Sequence, residues 1–448
     1  MKRILILCKS AVGTAMSSPG IRATNMARVL AHALPESTLT LGVDGPCDLP
    51  PQPRYAVRPL SGDQVRALIR QNDVVISQGF PSRALASSFG RTLILDFFTN
   101  FMIEGLEYRA QRIAAAQRES WLESQRRYLN LQLTLADYVI CANERQRDTW
   151  LGMMSSLGLI TGDVYDRDPT LRSLVAVCPY GVRATAPLRR HRVLKGVYPG
   201  IGANDRLLLW NGGILRYYDP ESLIHAFRAL LPANPDLKLL FLGNRYPVVG
   251  FDIGDTLGKA IGLARALGLE GQSIFFNDGW LPFEDSGDAM LEADLGVSTY
   301  YDTLETHLSY RTRLVDFIWA GLPFVCTRGD LIAEQVQHEG LGLTVTERDV
   351  AGLTAALHRL LNDEALRASC RAALESARER MTWERQMAPL VDLLRRNAPV
   401  AQSKSMRGPM ALLRTAQYLN ARTRESGQQR LRNASFSVLS SSRLPPPG

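Results

Sequence analysis

Short apolar runs alternate with amphipathic stretches from the first residue onward. Ile4 to Cys8, Val74 to Ser77, Thr92 to Leu95, Tyr138 to Cys141 and Leu174 to Val177 read as buried strands separated by helical patterns. Such alternation predicts parallel βαβ units, hence one doubly wound sheet. A polar, basic stretch punctuated by Pro and Gly follows Cys178-Pro179-Tyr180-Gly181-Val182 and runs to about Asn204, and it reads as a linker. A second series then begins, with strands expected at Arg206 to Trp210, Leu237 to Leu242, Ser273 to Phe276, Leu295 to Ser298 and Phe324 to Thr327. After Tyr218 the helix signals are explicit: Asp219 as cap, Pro220 at the first helical position, and an apolar stripe of Leu223, Ile224 and Phe227. Glu104 to Leu135 reads as a long charged helical segment bracing the first sheet, and Asn143 as the cap of the helix after the strand at Ile140.

Length and composition fit this division. A chain of 448 residues exceeds one ordinary core and accommodates two domains plus an appendage. With 46% hydrophobic and 21% charged residues it reads as globular, and no stretch approaches the roughly 18 apolar residues of a membrane span. Met1-Lys2-Arg3 before Ile4 to Cys8 imitates a signal peptide, but Lys9 interrupts the run and a first strand is the better reading. A cytoplasmic location is expected, with the option of a peripheral position on the cytoplasmic face of the membrane. Six scattered cysteines, with no Cys-x-x-Cys pair and no neighbouring His at ligand spacing, are expected to be reduced and mostly buried, and no metal site is implied.

The net charge of +8 is misleading until it is located. Beyond residue 397 stand eight basic side chains against Glu425 alone, so the two domains are nearly neutral and no nucleic-acid partner is expected. That tail has two readings. Met410, Leu412, Leu413, Tyr418 and Leu419 among arginines fit a segment lying on an anionic membrane surface, and the Pro- and Ser-rich end fits plain disorder.

Several loops offer chemistry. Gly20 stands before a helix-like stretch that contains Arg22, and Gly212-Gly213 follows the strand ending at Trp210; each is either a turn or a place where backbone N–H groups approach an anion, with Arg216 adding charge to the second. Asp96, Asn100 and Glu104 cluster after a first-domain strand, where Asp96 either ends the strand or orients an acceptor hydroxyl. From Ala293 to Asp330 an acidic loop with Asp302 and Glu305 precedes a predicted helix opening at Ser309 or Tyr310, which places Arg313 and Asp316 on one face. Asp166-Arg167-Asp168, before Pro169, reads as a loop away from these signals rather than a metal motif.

In order along the chain, Ser17-Ser18-Pro19-Gly20-Ile21-Arg22, Cys178-Pro179-Tyr180-Gly181-Val182, Trp210-Asn211-Gly212-Gly213, Leu240-Phe241-Leu242-Gly243-Asn244, Gly279-Trp280-Leu281-Pro282, Glu292-Ala293-Asp294 and Trp319-Ala320-Gly321-Leu322-Pro323-Phe324-Val325 resemble the GT-B glycosyltransferases of group 1. The resemblance covers most of residues 1 to 396. It implies an α/β, GT-B architecture of two Rossmann-like doubly wound parallel-sheet domains facing across a cleft. The expected divisions are residues 1–187 for acceptor, 188–385 for nucleotide-sugar, 386–400 as a helix crossing back to the first domain, and 401–448 as the basic tail. It further implies sugar transfer with retention from a nucleoside-diphosphate donor (a UDP-, GDP- or ADP-sugar) to a hydroxyl of a glycan or glycolipid, as in bacterial surface polysaccharide biosynthesis, without cofactor or metal.

By the same resemblance the base lies near Gly243, Asn244, Trp280 and Leu281, and Asp316 replaces a Glu that binds ribose hydroxyls. Two departures stand out. The family's other acid falls on Leu308, which points to Asp302 or Glu305 instead, and its diphosphate-binding Arg and Lys fall on Gly213 and Tyr218. Arg311 or Arg313 is expected to supply most of the missing charge, with Arg216 and Arg22 as further candidates. The rival readings are a non-catalytic binding or assembly subunit and a sugar-nucleotide 2-epimerase, for which the first domain offers His32 alone among histidines.

Overall fold

A computed structural model describes residues 1–60, 64–79, 87, 90–108, 113–243, 255–396 and 410–426. Two wholly parallel sheets dominate. The first contains β1 (Arg3–Cys8), β2 (Thr38–Val43), β3 (Ala56–Pro59), β4 (Val74–Ser77), β5 (Thr92–Asp96), β6 (Tyr138–Cys141) and β7 (Val175–Val177), in the order β3-β2-β1-β4-β5-β6-β7. The second contains β8 (Arg206–Trp210), β9 (Leu237–Phe241), β10 (Ile274–Phe276), β11 (Leu295–Ser298), β12 (Phe324–Thr327) and β13 (Gly342–Val345), in the order β10-β9-β8-β11-β12-β13. Helices cover both faces, which explains why most strands are apolar runs rather than alternating ones. In each sheet the order reverses beside its first strand, between β1 and β4 and between β8 and β11, and crevices at such reversals are where open parallel sheets bind ligands.

Ten strands fall on the predicted runs. β2, β3 and β13 were not predicted from the pattern. β3 is a largely exposed edge strand ending in Pro59, and β13 is four residues opened by Gly342, so neither presents a buried apolar run. The long charged segment resolves into helices Phe101–Tyr108 and Ala115–Leu135. Asp219 accepts from Ser222 N at 3.0 Å with Pro220 in the first turn, and Asn143 accepts from Gln146 N at 2.8 Å, so both predicted caps are in place. All six cysteines are free and five are buried.

The chain returns to the first domain at its C-terminal end. Val182 N donates to Met381 O at 2.8 Å and Trp383 N to Val182 O at 3.0 Å, so the outgoing and returning crossings run side by side. Helix Ala388–Arg395 then docks on the first domain, where Lys2 donates to Leu394 O and Arg395 to Ala33 O at 3.1 Å. The tail departs from expectation in part. Residues 410–426 form a helix lying on the first domain, with Tyr418 buried in its core and 5.0 Å from the ring of Tyr128. Met410 also packs inward and Arg414 donates to Leu157 O at 3.0 Å, whereas Leu412, Leu413 and Leu419 face out. Residues 427–448, including the Pro- and Ser-rich end, lie outside the described residues. Among the described residues no helix is long and apolar enough to cross a membrane.

Candidate active site

A cavity of about 630 Å³ opens between the two domains at the carboxyl ends of both sheets. Its second-domain wall is built by β8, β9 and the helix Thr312–Ala320. That helix forms because Leu314, Val315, Phe317 and Ile318 supply a buried stripe, and it stops at Gly321, which takes the left-handed conformation (φ 65°). It begins two to three residues later than the sequence predicts. Arg311 is its N-cap residue, no side chain caps it, and its first-turn N–H groups lie at the cavity wall with the positive end of the helix dipole.

Arg313 and Asp316 both line the cavity, as their three-residue spacing requires. The Arg313 guanidinium lies 4.2 Å from the ring centre of Tyr218 and 4.6 Å from that of Trp210, and its Nη2 donates to Gly213 O at 2.6 Å. Its Nη1 is buried with no hydrogen-bond partner. Burial pushes its pKa down from the usual guanidinium range, and among the described residues it makes no ion pair. Thus the guanidinium rests on Gly213 and Tyr218, the two positions where the resemblance places an absent cationic pair. Gly212 has φ 90°, and a Cβ there would stand 3.3 Å from Arg313 Nη2, while one at Gly243 would reach 2.7 Å from Gly212 C. Only glycines let these two loops and the arginine pack together.

Asp316 accepts from Asn211 Nδ2 at 3.1 Å. Burial raises its carboxyl pKa to about 7, against the opposing pull of Arg313, Arg183 and the Asn211 bond. Arg183 was not foreseen. Its guanidinium sits 4.6 Å over Phe283 and 5.1 Å over Trp319, on the cavity wall, directly after the Cys178–Val182 segment. A basic residue ending the interdomain crossing was the available signal.

Other expectations are corrected or narrowed. Arg22 and Asp96 do not line the cavity: Asp96 grips Arg22 through contacts of 2.7 to 3.0 Å, both are buried, and Arg22 also donates to Pro179 O at 3.1 Å. Neither charge remains for a ligand. Gly20 is a packing position, since a Cβ there would fall 2.2 Å from Ala11 O. Asp302 and Arg216 are exposed outside the lining. Arg311 lines the cavity but is held by Glu305 at 2.6 Å and by Thr306 Oγ1 at 2.8 Å, so Glu305, which also accepts from Ser309 Oγ at 2.5 Å, is a partner to Arg311 rather than a free acid. Gly212, Gly213, Gly243, Trp280 and Leu281 line the cavity, and Asn244 lies outside the described residues. Asn100 Oδ1 accepts from Ile103 N at 3.3 Å at the start of its helix, whereas Glu104 is on the lining.

The domains also touch directly. Ser18 Oγ and Thr312 Oγ1 are 2.8 Å apart, Trp280 Nε1 donates to Met16 O at 3.3 Å, and Asn143 Nδ2 donates to Leu308 O at 3.1 Å. Arg145 donates to His307 O and Gly329 O and pairs with Glu334 at 2.5 Å. Asn143, read from the sequence only as a helix cap, and Arg145 thereby tie the two domains together.

Residues 199–377 match the model of the family described as Glycosyl transferases group 1. Among solved structures the chain is similar to sucrose-phosphate synthase from Thermosynechococcus elongatus (16% identity over 88% of this chain and 99% of that one, TM-score 0.57). It is similar as well to Anabaena HepE in complex with UDP and glucose (15% identity, 88% and 100% covered, TM-score 0.57). A third is the E. coli structure described as trehalose-6-phosphate bound with UDP-2-fluoro glucose (14% identity, 87% and 98% covered, TM-score 0.58). No curated protein matches the chain. With two Rossmann-like sheets facing across one cavity, the chain has the GT-B fold, and its second domain carries the pattern of the group 1 glycosyltransferases.

Proposed function

We propose that the chain transfers a sugar from a nucleoside-diphosphate donor to a hydroxyl acceptor, with the donor in the second-domain half of the cavity. The observation that carries this reading is Arg313, a buried guanidinium with no ion-pair partner among the described residues and one nitrogen left without a hydrogen bond. An uncompensated buried charge is costly unless a ligand of opposite sign completes it. A diphosphate would meet Arg313, the Gly212-Gly213 backbone and the N-terminus of the Thr312–Ala320 helix, with Arg183 nearby. Charge growing on the departing diphosphate is thus met by groups already in position, which lowers the barrier without reorganisation. Asp316 stands on the same helix face, where it accepts hydrogen bonds from ribose hydroxyls, and Trp280 and Leu281 flank the base.

We infer retention at the anomeric carbon and a surface-polysaccharide or glycolipid acceptor from the family pattern, with no cofactor or metal invoked. Two details agree with a mechanism lacking a side-chain nucleophile. Glu305 is committed to Arg311, and Asp316 accepts from Asn211. The epimerase reading loses its base, because His32 lies outside the lining with its ring Nδ1 2.8 Å from Arg28 O. The outward leucines of the 410–426 helix, beside arginines, support a peripheral position on an anionic membrane surface.

A panel of UDP, GDP and ADP, scored by thermal stabilisation and followed by hydrolysis of the matching donor sugars, tests the proposal. Binding with turnover and a product of unchanged anomeric configuration is expected. Binding without turnover would assign the chain to the non-catalytic subunit class instead.

A further inference from the structure

The first-domain end of the cavity has a chemistry of its own. Lys9 follows directly on β1 and Gln78 directly on β4, so both stand at the reversal of strand order in the first sheet, and both line the cavity. Pairing of Leu7 with Ser77 brings the two strand ends level. A Cβ on Gly79 would be 3.9 Å from Lys9 Nζ and 3.3 Å from Gln132 Oε1, which places the lysine, the Gly79 backbone and Gln132 in one corner.

Two donors in this corner lack acceptors. Lys9 makes no ion pair or hydrogen bond among the described residues, and Gln78 Nε2 is buried with no partner. Asp44 is near enough to favour the lysine's charge but makes no ion pair with it. The ammonium is open to solvent through the cavity yet surrounded by protein, and that loss of hydration lowers its pKa to about 8. A cation so placed gains most from an anion that replaces the missing water. The basic side chains of the second-domain wall do not explain it, since Lys9 belongs to the opposite sheet. Beyond the corner the wall turns apolar through Phe98, Phe101, Met102 and Trp121.

We propose that this corner is an anion subsite for the acceptor, in which Lys9, assisted by Gln78, holds a phosphate or carboxylate that the acceptor carries near its reacting hydroxyl. The proposal rests on the sugar-transfer reading for the word acceptor, but its test does not.

The full sequence contains only six lysines, at positions 2, 9, 195, 238, 259 and 404, so ¹³C-dimethylation of the full-length protein gives an NMR spectrum simple enough to follow Lys9. Its signal is identified by its absence in Lys9→Arg. Inorganic phosphate and acetate are titrated separately, each with and without the nucleoside diphosphate that stabilises the protein best. Saturable movement of the Lys9 signal is expected with at least one anion in the presence of nucleotide, weakened about tenfold or more in Gln78→Leu, as for loss of a hydrogen bond to a charged group. Movement with phosphate alone assigns a phosphorylated acceptor, and movement with acetate alone a uronate-like one. A Lys9 signal indifferent to both anions, or one that moves only on addition of nucleotide, overturns the proposal; in the second case the lysine serves the donor. Thermal stabilisation of unmethylated wild type and Lys9→Met by the same anions gives an independent answer, and equal stabilisation overturns the proposal too. Absence of nucleotide binding sinks the sugar-transfer reading while leaving the anion result to stand or fall on its own signal.

Discussion

Each domain sets an arginine with an aspartate near the interdomain cleft, Arg22 with Asp96 in the first and Arg313 with Asp316 in the second; both arginines are buried, and the two pairs are used in opposite ways. In the first domain Arg22 and Asp96 face each other across 2.7 to 3.0 Å and neutralise one another below the surface. In the second, Arg313 rests on a backbone carbonyl and two rings, while Asp316 accepts from an asparagine. The same residue types therefore do structural work where they are matched and are left open to a ligand where they are kept apart. Burial by itself does not distinguish the cases; the partner does.

The largest expected effect lies on the matched side. Asp96→Ala should cost about 3–5 kcal/mol of stability, because it strands the Arg22 charge in the interior, and chemical denaturation of the two proteins would measure it. On the open side the consequence should move from stability to turnover. Arg313→Ala should lower kcat by about 10²–10³-fold, as for removal of one preorganised donor from a developing anion, while leaving the melting temperature equal or higher. A large stability loss in this variant would erase the distinction between the two pairs.

The Asp316 carboxyl sharpens it further. An ordinary Asp ionises near pH 3.9 in the unfolded chain, whereas this one holds its proton until about pH 7. Between those values the native state binds more protons than the unfolded state, so stability without nucleotide should fall as pH rises from about 4 to 7 and then level off. Melting curves of Asp316→Asn should lack that component of the slope, a difference on the order of a few degrees. The smallest effect concerns the tail. Replacing Leu412, Leu413 and Leu419 by Ser should weaken sedimentation with anionic vesicles without touching turnover on a soluble acceptor, since Tyr418 rather than these leucines anchors the helix.

Much of the architecture was legible because parallel strands covered on both faces are unbroken apolar runs, as at Ile4 to Cys8 and Leu207 to Trp210. β3 escaped because an exposed edge strand has no such run. Arg313 and Asp316 could be placed on one helix face from spacing alone. Whether an arginine's charge is spent could not be read the same way, since the partners of Arg22 and Arg311 come from a distant strand in one case and from the short preceding helix Leu304–Leu308 in the other. Arg183 and Lys9 were missed for a related reason: each is a lone basic residue at the end of a segment, and only the meeting of the two sheets turns it toward a shared space. The tail was misjudged in part because Tyr418 looks equally like an anchor for lipid or for protein until Tyr128 is seen opposite it.

The paired crossings at Val182 and Trp383 have a mechanical consequence. Two chain segments bonded to each other at the base of the gap act as a strap rather than a single swivel, so they resist independent twisting or sliding of the halves and leave rotation about the strap as the soft motion. Such a rotation must break the other interdomain contacts, among them Arg145 with Glu334 and Ser18 with Thr312. Widening the gap therefore costs a few polar contacts while the two crossings stay paired.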